Sequence, residues 1–247
     1  MEQKIYGHRG ASAFAPENTL EAFQMAADMG ADGVELDVQL TRDGIPVVVH
    51  DERLERVSDG RGWVKDCTLK DLKAMRFNRV MPDFGETRIP TLEEVFQLLR
   101  KTGLGINIEL KNSLIPYEGM EEKVMALIDR CFERERIIFS SFSHASMLKV
   151  KRIAPEMICG LLYDASLVKP WVYAQAVGAD AIHPHYAEVI TPGGECAAAH
   201  RAGIRVHVWT VNEEEVIRRT LAEGADILIT NYPDRAVRLR KELGKQG

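Results

Sequence analysis

Five glycines fall at the same structural beat along this chain. Gly30-Ala31-Asp32 precedes Gly33-Val34-Glu35-Leu36-Asp37, Gly178-Ala179-Asp180 precedes Ala181-Ile182-His183-Pro184-His185, and Gly224-Ala225-Asp226 precedes Ile227-Leu228-Ile229-Thr230-Asn231. Gly103 and Gly203 stand in like positions before Ile106-Asn107-Ile108-Glu109-Leu110 and Arg205-Val206-His207-Val208-Trp209. Each glycine ends a helical pattern and precedes a strand pattern, where a left-handed helix C-cap is needed. The chain is therefore written in a repeating unit of helix, glycine and strand.

Strand patterns run Ile5 to Arg9, Val34 to Leu40, Ile106 to Lys111, Ile137 to Phe142, Ile158 to Tyr163, Ala181 to His185, Arg205 to Val211 and Ile227 to Asn231. Each is followed by a stretch able to form a helix. Eight alternating units predict an α/β fold, a parallel (β/α)8 TIM barrel, with a doubly wound open sheet as the alternative. The 247 residues suit one such barrel, whose usual length is about 250. Asn18 with Glu21, and Thr91 with Glu94, have the spacing of helix capping boxes.

One strand breaks the alternation. Pro46-Val47-Val48-Val49-His50 follows Arg42-Asp43-Gly44, and Asp-Gly is a hairpin signal. A two-residue Asp43-Gly44 loop would set Asp37 opposite His50. Residues 51–90 then depart from the repeat and are too long for an ordinary βα loop. They read as a small insertion at the barrel mouth, within a single catalytic domain spanning 1–247, with a short helix near Leu69 to Met75.

The strand Val34 to Leu40 alternates apolar and polar residues. Successive side chains point to opposite faces, so Glu35, Asp37 and Gln39 share one face. On the next barrel strand Asn107, Glu109 and Lys111 share a face. Barrel active sites lie at the C-terminal ends of the strands. Glu35, Asp37 and Glu109 are expected to hold one divalent cation, Mg2+ or Ca2+, because hard cations take oxygen ligands. Arg9 and Lys111 are placed to neutralise a phosphate. His8 and His50 are the expected general acid and base, because histidine is the residue type whose ordinary pKa suits proton transfer near neutral pH. Trp209 offers an apolar wall. His183, His185 and His207 read as core or supporting residues.

Composition excludes several classes. With 45% hydrophobic and 28% charged residues the chain is an ordinary globular one, and its net charge of -5 argues against a nucleic-acid or polybasic membrane binder. Cys67, Cys131, Cys159 and Cys196 show no metal-ligand spacing and read as incidental thiols. Met1-Glu2-Gln3-Lys4-Ile5-Tyr6 runs straight into a strand without an apolar leader region, so residence in the cytoplasm is the expectation. Oligomeric state is left open.

The motifs His8-Arg9-Gly10, Ala15-Pro16-Glu17-Asn18-Thr19, Glu35-Leu36-Asp37-Val38, Thr41-Arg42-Asp43-Gly44 and Val49-His50-Asp51 occur in that order. Ile89-Pro90-Thr91-Leu92-Glu93-Glu94, Ile108-Glu109-Leu110-Lys111, Ser140-Ser141-Phe142 and Val208-Trp209-Thr210-Val211-Asn212 follow them. The ordered set, running from His8 to Pro233, resembles the glycerophosphodiester phosphodiesterase family. The resemblance implies a TIM barrel with an insertion after the second strand. It also implies hydrolysis of a small glycerophosphodiester to sn-glycerol 3-phosphate and an alcohol. It puts the metal ligands at Glu35, Asp37 and Glu109, the essential histidines at His8 and His50, and substrate contacts at Arg9, Lys111 and Trp209. The family often reads Thr-Asp before its final aromatic-Pro, whereas this chain has Thr230-Asn231-Tyr232-Pro233; Asn231 is placed outside the catalytic set. Two other functions are weighed. A lysophospholipase D would need a mouth for an acyl chain, and no apolar lid is evident in the sequence. A catalytically silent phosphometabolite-binding barrel would not need the full set of acids and histidines.

Overall fold

The structure is a computed structural model that describes residues 3–190 and 195–244. Met1 and Glu2, at the start of the segment read as leading into the first strand, lie outside the described residues. The strands are β1 (Lys4–His8), β2 (Gly33–Leu40), β3 (Pro46–Val48), β4 (Gly105–Leu110), β5 (Ile137–Ser141), β6 (Ile158–Tyr163), β7 (Ala181–Pro184), β8 (Arg205–Val208) and β9 (Ile227–Thr230). The helices are α1 (Leu20–Asp28), α2 (Leu69–Ala74), α3 (Leu92–Leu99), α4 (Met120–Cys131), α5 (His144–Ile153), α6 (Pro170–Val177), α7 (Tyr186–Val189), α8 (Glu195–Arg201), α9 (Glu214–Ala222) and α10 (Pro233–Leu243).

Eight strands close into a parallel barrel. β1 pairs in parallel with both β2 and β9, and β2 continues through β4, β5, β6, β7 and β8 to β9. The open-sheet alternative is thereby removed. All five glycines of the repeated unit adopt φ between 73° and 88°, the left-handed conformation that lets a helix turn into the next strand.

The period-two pattern sorts the side chains into two layers. Val34, Leu36 and Val38 face outward with Ile106, Ile108, Phe23 and Phe96 in the layer between sheet and helices. Tyr6, Ile138, Ile227 and Ile229 fill the barrel axis. All eight residues of β2 are buried, Glu35, Asp37 and Gln39 among them.

The hairpin after β2 forms, but in a different register from the one expected. Val38 pairs with Val48 and Leu40 with Pro46, so the residue opposite Asp37 is Val49, whose N–H donates to the Asp37 carbonyl at 2.9 Å. The connection has three residues rather than two. Thr41 N–H meets the Ile45 carbonyl at 3.1 Å, and Gly44 at φ 77° takes the left-handed place such loops require. Residues 51–90 carry α2 and two short 3-10 turns. They pack Leu54, Val57, Val64, Leu72 and Phe77 with Val47 and Val49 into a separate small core.

The capping expectations divide. Thr91 and Glu94 form a reciprocal capping box on α3. At α1 the cap is Thr19, which accepts the Ala22 N–H, and Asn18 is turned elsewhere. Among the described residues no helix is long and apolar enough to cross a membrane.

Candidate active site

The parallel register assembles the site in rows. His8 pairs with Glu35 and Glu35 with Asn107; one step up, Asp37 pairs with Glu109 and Glu109 with Ser140. Alternation turns all of these side chains into the barrel at its C-terminal end. Ligand oxygens of Glu35, Asp37 and Glu109 lie within 4.8 Å of one another. Three acids from two adjacent strands thus converge as the sequence predicts.

Such a cluster is costly to bury without compensation. Burial, followed by repulsion from Asp37 and Glu109, holds the Glu35 carboxyl well above the usual carboxylate range, and Glu109 is pushed the same way by burial and Asp37. Burial pushes Asp37 up too, but Arg9, His50 and Lys111 with the Asn18 amide outweigh it and bring Asp37 down to about 2. The Oδ1 atom of Asp37 is buried with no hydrogen-bond partner. Clustered carboxylates, one with a bare buried oxygen, fit a hard divalent cation.

Cations flank the acids. Arg9 donates its N–H to Glu35 Oε2 at 3.0 Å, sets Nε 3.3 Å from Asp37 Oδ2 and fixes one guanidinium nitrogen on Glu17 at 2.8 Å. Its φ of 54° is unusual for a non-glycine residue and belongs with the strained backbone found at functional sites. Lys111 lies 3.0 Å from Glu109 and 4.0 Å from Asp37.

The two predicted histidines flank the cluster with unlike partners. His8 Nε2 is 3.9 Å from Glu35, and its Nδ1 is 2.7 Å from Asn231 Oδ1. Burial, then the nearby Arg9 charge, brings the His8 ring down to about 3. His50 lies beyond the end of β3, and its Nδ1 is 2.7 Å from Asp51. Trp209 donates its indole N–H to the His183 carbonyl at 2.8 Å and packs edge-on against Phe142 and His185. It lines a pocket shared with His8, Glu35 and Glu109.

Several supporting residues were not assigned from the sequence. Gln39 donates to the carbonyls of Val49, His50 and Asp51 at 3.1, 3.0 and 2.8 Å, stapling the segment that carries His50. Asn18, at φ 58°, donates to Asp37 Oδ2 at 2.8 Å instead of capping α1. Asn231, placed outside the catalytic set on sequence grounds, touches His8 directly. Gln39 was legible as sharing a face with Glu35 and Asp37; Asn18 and Asn231 act across loops that no periodicity encodes. Of the other histidines, His183 and His207 are buried and bonded to each other at 2.7 Å, while His185 sits beside Trp209 at the mouth.

Residues 8–235 match the Glycerophosphoryl diester phosphodiesterase family. The chain belongs to that family. It is 40% identical over 245 residues to a glycerophosphodiester phosphodiesterase of Caldanaerobacter subterraneus subsp. tengcongensis, covering 99% of this chain and 100% of that one. A solved Oleispira antarctica phosphodiesterase, in complex with the product sn-glycerol-3-phosphate, superposes with a TM-score of 0.87 at 28% identity, over 96% of each chain. A glycerophosphodiester phosphodiesterase structure from Agrobacterium tumefaciens gives a TM-score of 0.83 at 29% identity, covering 96% of this chain and 99% of that one. Membership makes the chain an enzyme, a phosphoric diester hydrolase, as the ordered motifs imply. The barrel is the family's architecture.

Proposed function

We propose that this enzyme hydrolyses a small glycerophosphodiester to sn-glycerol 3-phosphate and an alcohol. The observation that carries the reading is the triad of buried Glu35 and Asp37 with half-buried Glu109, held within 4.8 Å and bracketed by Arg9, Lys111 and two histidines. A divalent cation, Mg2+ or Ca2+, held by the triad would supply concentrated positive charge for a phosphate oxygen. Arg9 and Lys111 add donors aimed at the same charge as phosphorus becomes five-coordinate. Preorganised stabilisation of this kind is usually the largest catalytic contribution. One of His8 and His50 takes the proton of the attacking oxygen and the other protonates the leaving alkoxide. The attacking oxygen is either a neighbouring glycerol hydroxyl, giving a cyclic phosphate that water opens, or water itself. Trp209 walls the carbon skeleton of the substrate.

The test is release of sn-glycerol 3-phosphate from glycerophosphocholine by the purified protein with Mg2+ or Ca2+. Excess EDTA should abolish release and added metal should restore it. No release with either ion, or full activity in chelator, would overturn the assignment.

One observation favours a second substrate. Phe14, Leu114, Phe142, Leu167 and Val168, which follow β1, β4, β5 and β6, are exposed. Loops after barrel strands surround the mouth, so these apolar side chains are on the side of the barrel that an acyl chain would approach. Lysophosphatidylcholine assayed beside glycerophosphocholine separates a lysophospholipase D from the simpler hydrolase.

A further inference from the structure

His8 ends β1, and Asn231 directly follows β9. The two strands pair in parallel with Gly7 beside Thr230, so one further step brings His8 level with Asn231. The side chains meet at 2.7 Å between His8 Nδ1 and Asn231 Oδ1. Asn231 is itself held on two sides. Its N–H donates to Asn212 Oδ1 at 3.0 Å and its carbonyl accepts the Ala13 N–H at 3.2 Å. Asn212 is anchored in turn: its Oδ1 accepts the Thr230 hydroxyl at 3.3 Å, and its carbonyl accepts the Arg235 guanidinium at 2.7 Å.

A carboxamide oxygen accepts hydrogen bonds and does not donate them. This contact therefore places the proton of a neutral imidazole on Nδ1 and leaves the lone pair of Nε2 on the opposite edge. That edge faces Glu35 at 3.9 Å. The geometry points to Asn231 as a positioning residue that fixes the orientation and tautomer of His8, with Asn212 locking Asn231 from behind. The inference rests on the reading of His8 as one of the two proton-transferring groups. It also accounts for the chemistry of residue 231. His50 is oriented by a carboxylate, Asp51, that Arg56 neutralises. His8 stands beside the cluster of Glu35, Asp37 and Glu109, and a neutral amide orients it without adding a fourth negative charge.

The proposal is tested by nitrogen-15 NMR of the histidine rings together with kinetics on glycerophosphocholine. In the wild type the His8 ring should carry its proton on Nδ1. In Asn231→Ala the ring should shift toward the Nε2–H form, and kcat should fall about ten- to hundredfold, the range for supports behind a functional imidazole, with KM little changed. Asn231→Asp, which keeps an acceptor oxygen but adds the fourth negative charge, should hold the proton on Nδ1 and restore only part of kcat, and Asn212→Ala should reproduce part of the Asn231→Ala loss. A wild-type His8 with its proton on Nε2, or an unchanged kcat in Asn231→Ala, would overturn the inference. If the wild type hydrolyses no glycerophosphodiester, the proposed activity fails, and the NMR arm still decides the tautomer.

Discussion

Arg56 grips both carboxylate oxygens of Glu17 at 2.7 Å although the two residues lie 39 positions apart. The same guanidinium donates to Asp51 at 2.5 and 3.0 Å. Glu17 also holds Arg9 and Asp51 also holds His50, so an unbroken chain of charge-assisted bonds runs Arg9, Glu17, Arg56, Asp51, His50. It ties the loop after β1 to the segment that follows β3, and the arginine proposed to face the phosphate to a histidine proposed to transfer a proton. Removing Arg56 should loosen both ends. Arg56→Ala is expected to lower kcat/KM about tenfold, in the range for groups that orient active-site residues. Unfolding free energy should change by less than about 1 kcal/mol, since exposed ion pairs contribute little. Arg56→Lys should fall between, because an ammonium lacks the two-pronged fork. Steady-state kinetics and urea unfolding of the three proteins check this.

The acids should answer to substitution in opposite ways. Glu35 is opposed by Asp37 and Glu109, so Glu35→Gln should leave the metal-free protein as stable as the wild type or more so. Asp37 anchors Arg9 at 3.3 Å and accepts from Asn18 at 2.8 Å. Asp37→Asn removes the charge that balances a buried guanidinium and should cost about 3 kcal/mol, as breaking one side of a buried pair does. Mg2+ or Ca2+ should raise Tm in the wild type, by the equivalent of about 2.7 kcal/mol at one hundred times Kd, and should do so much less in either variant. Thermal melts in EDTA and across a metal titration measure all of these effects. A metal-independent Tm would remove the triad from ion binding.

His8→Ala and His50→Ala should each lower kcat by about 10² to 10⁴, the usual worth of general acid–base catalysis, with folding retained. Turnover of glycerophosphocholine, with circular dichroism as the folding control, is the measurement. Near-normal kcat in either variant would remove that histidine from the chemistry.

Much of this site could be read from the sequence because strands obey strict rules. The period-two alternation put Glu35 and Asp37 on one face, and parallel pairing brought Glu109 beside Asp37. The glycine beat marked where strands begin, so the mouth of the barrel could be placed. Features set by loops were harder to read. The hairpin register slipped by one residue because Gly44 closes a three-residue loop, a choice the Asp-Gly pair does not dictate. His50 nonetheless stays near the acids, because Gln39 binds the carbonyls around it. Asn18 has the spacing of a helix cap, yet the buried Asp37 carboxylate claims its amide. The roles of Glu17, Arg56 and Asn231 depend on segments meeting across the mouth, and that information resides in tertiary packing.

The buried pair His183 and His207 should set the acid limit of stability. Their rings meet at 2.7 Å in the barrel core, and the ring of His183 fills the space where a side chain at Gly160 would stand. Burial holds His183 down to about 3, and burial, then His183, Arg205 and Lys4, hold His207 well below its ordinary value. Both rings are neutral in the folded protein, whereas in the unfolded chain they take up protons near pH 6.5. Stability from these groups is therefore complete above pH 6.5 and is lost as pH falls from there toward 3, because the unfolded state binds more protons. Between pH 7.5 and 5.0 the loss should be about 2 kcal/mol per ring. Glu35 and Glu109 work in the opposite direction. Their raised carboxyls favour folding below the ordinary carboxylate range, and that advantage is lost as pH rises through their folded values, so a pH scan of the wild type alone would mix the two effects. The comparison that isolates the histidines is urea unfolding of wild type and His207→Gln at both pH values in EDTA. The variant should be less stable at pH 7.5, through lost packing, yet lose about 2 kcal/mol less on acidification. An equal acid loss in both proteins would mean that His207 takes up no more protons on unfolding than a glutamine, and the core pair would not be the source of acid sensitivity.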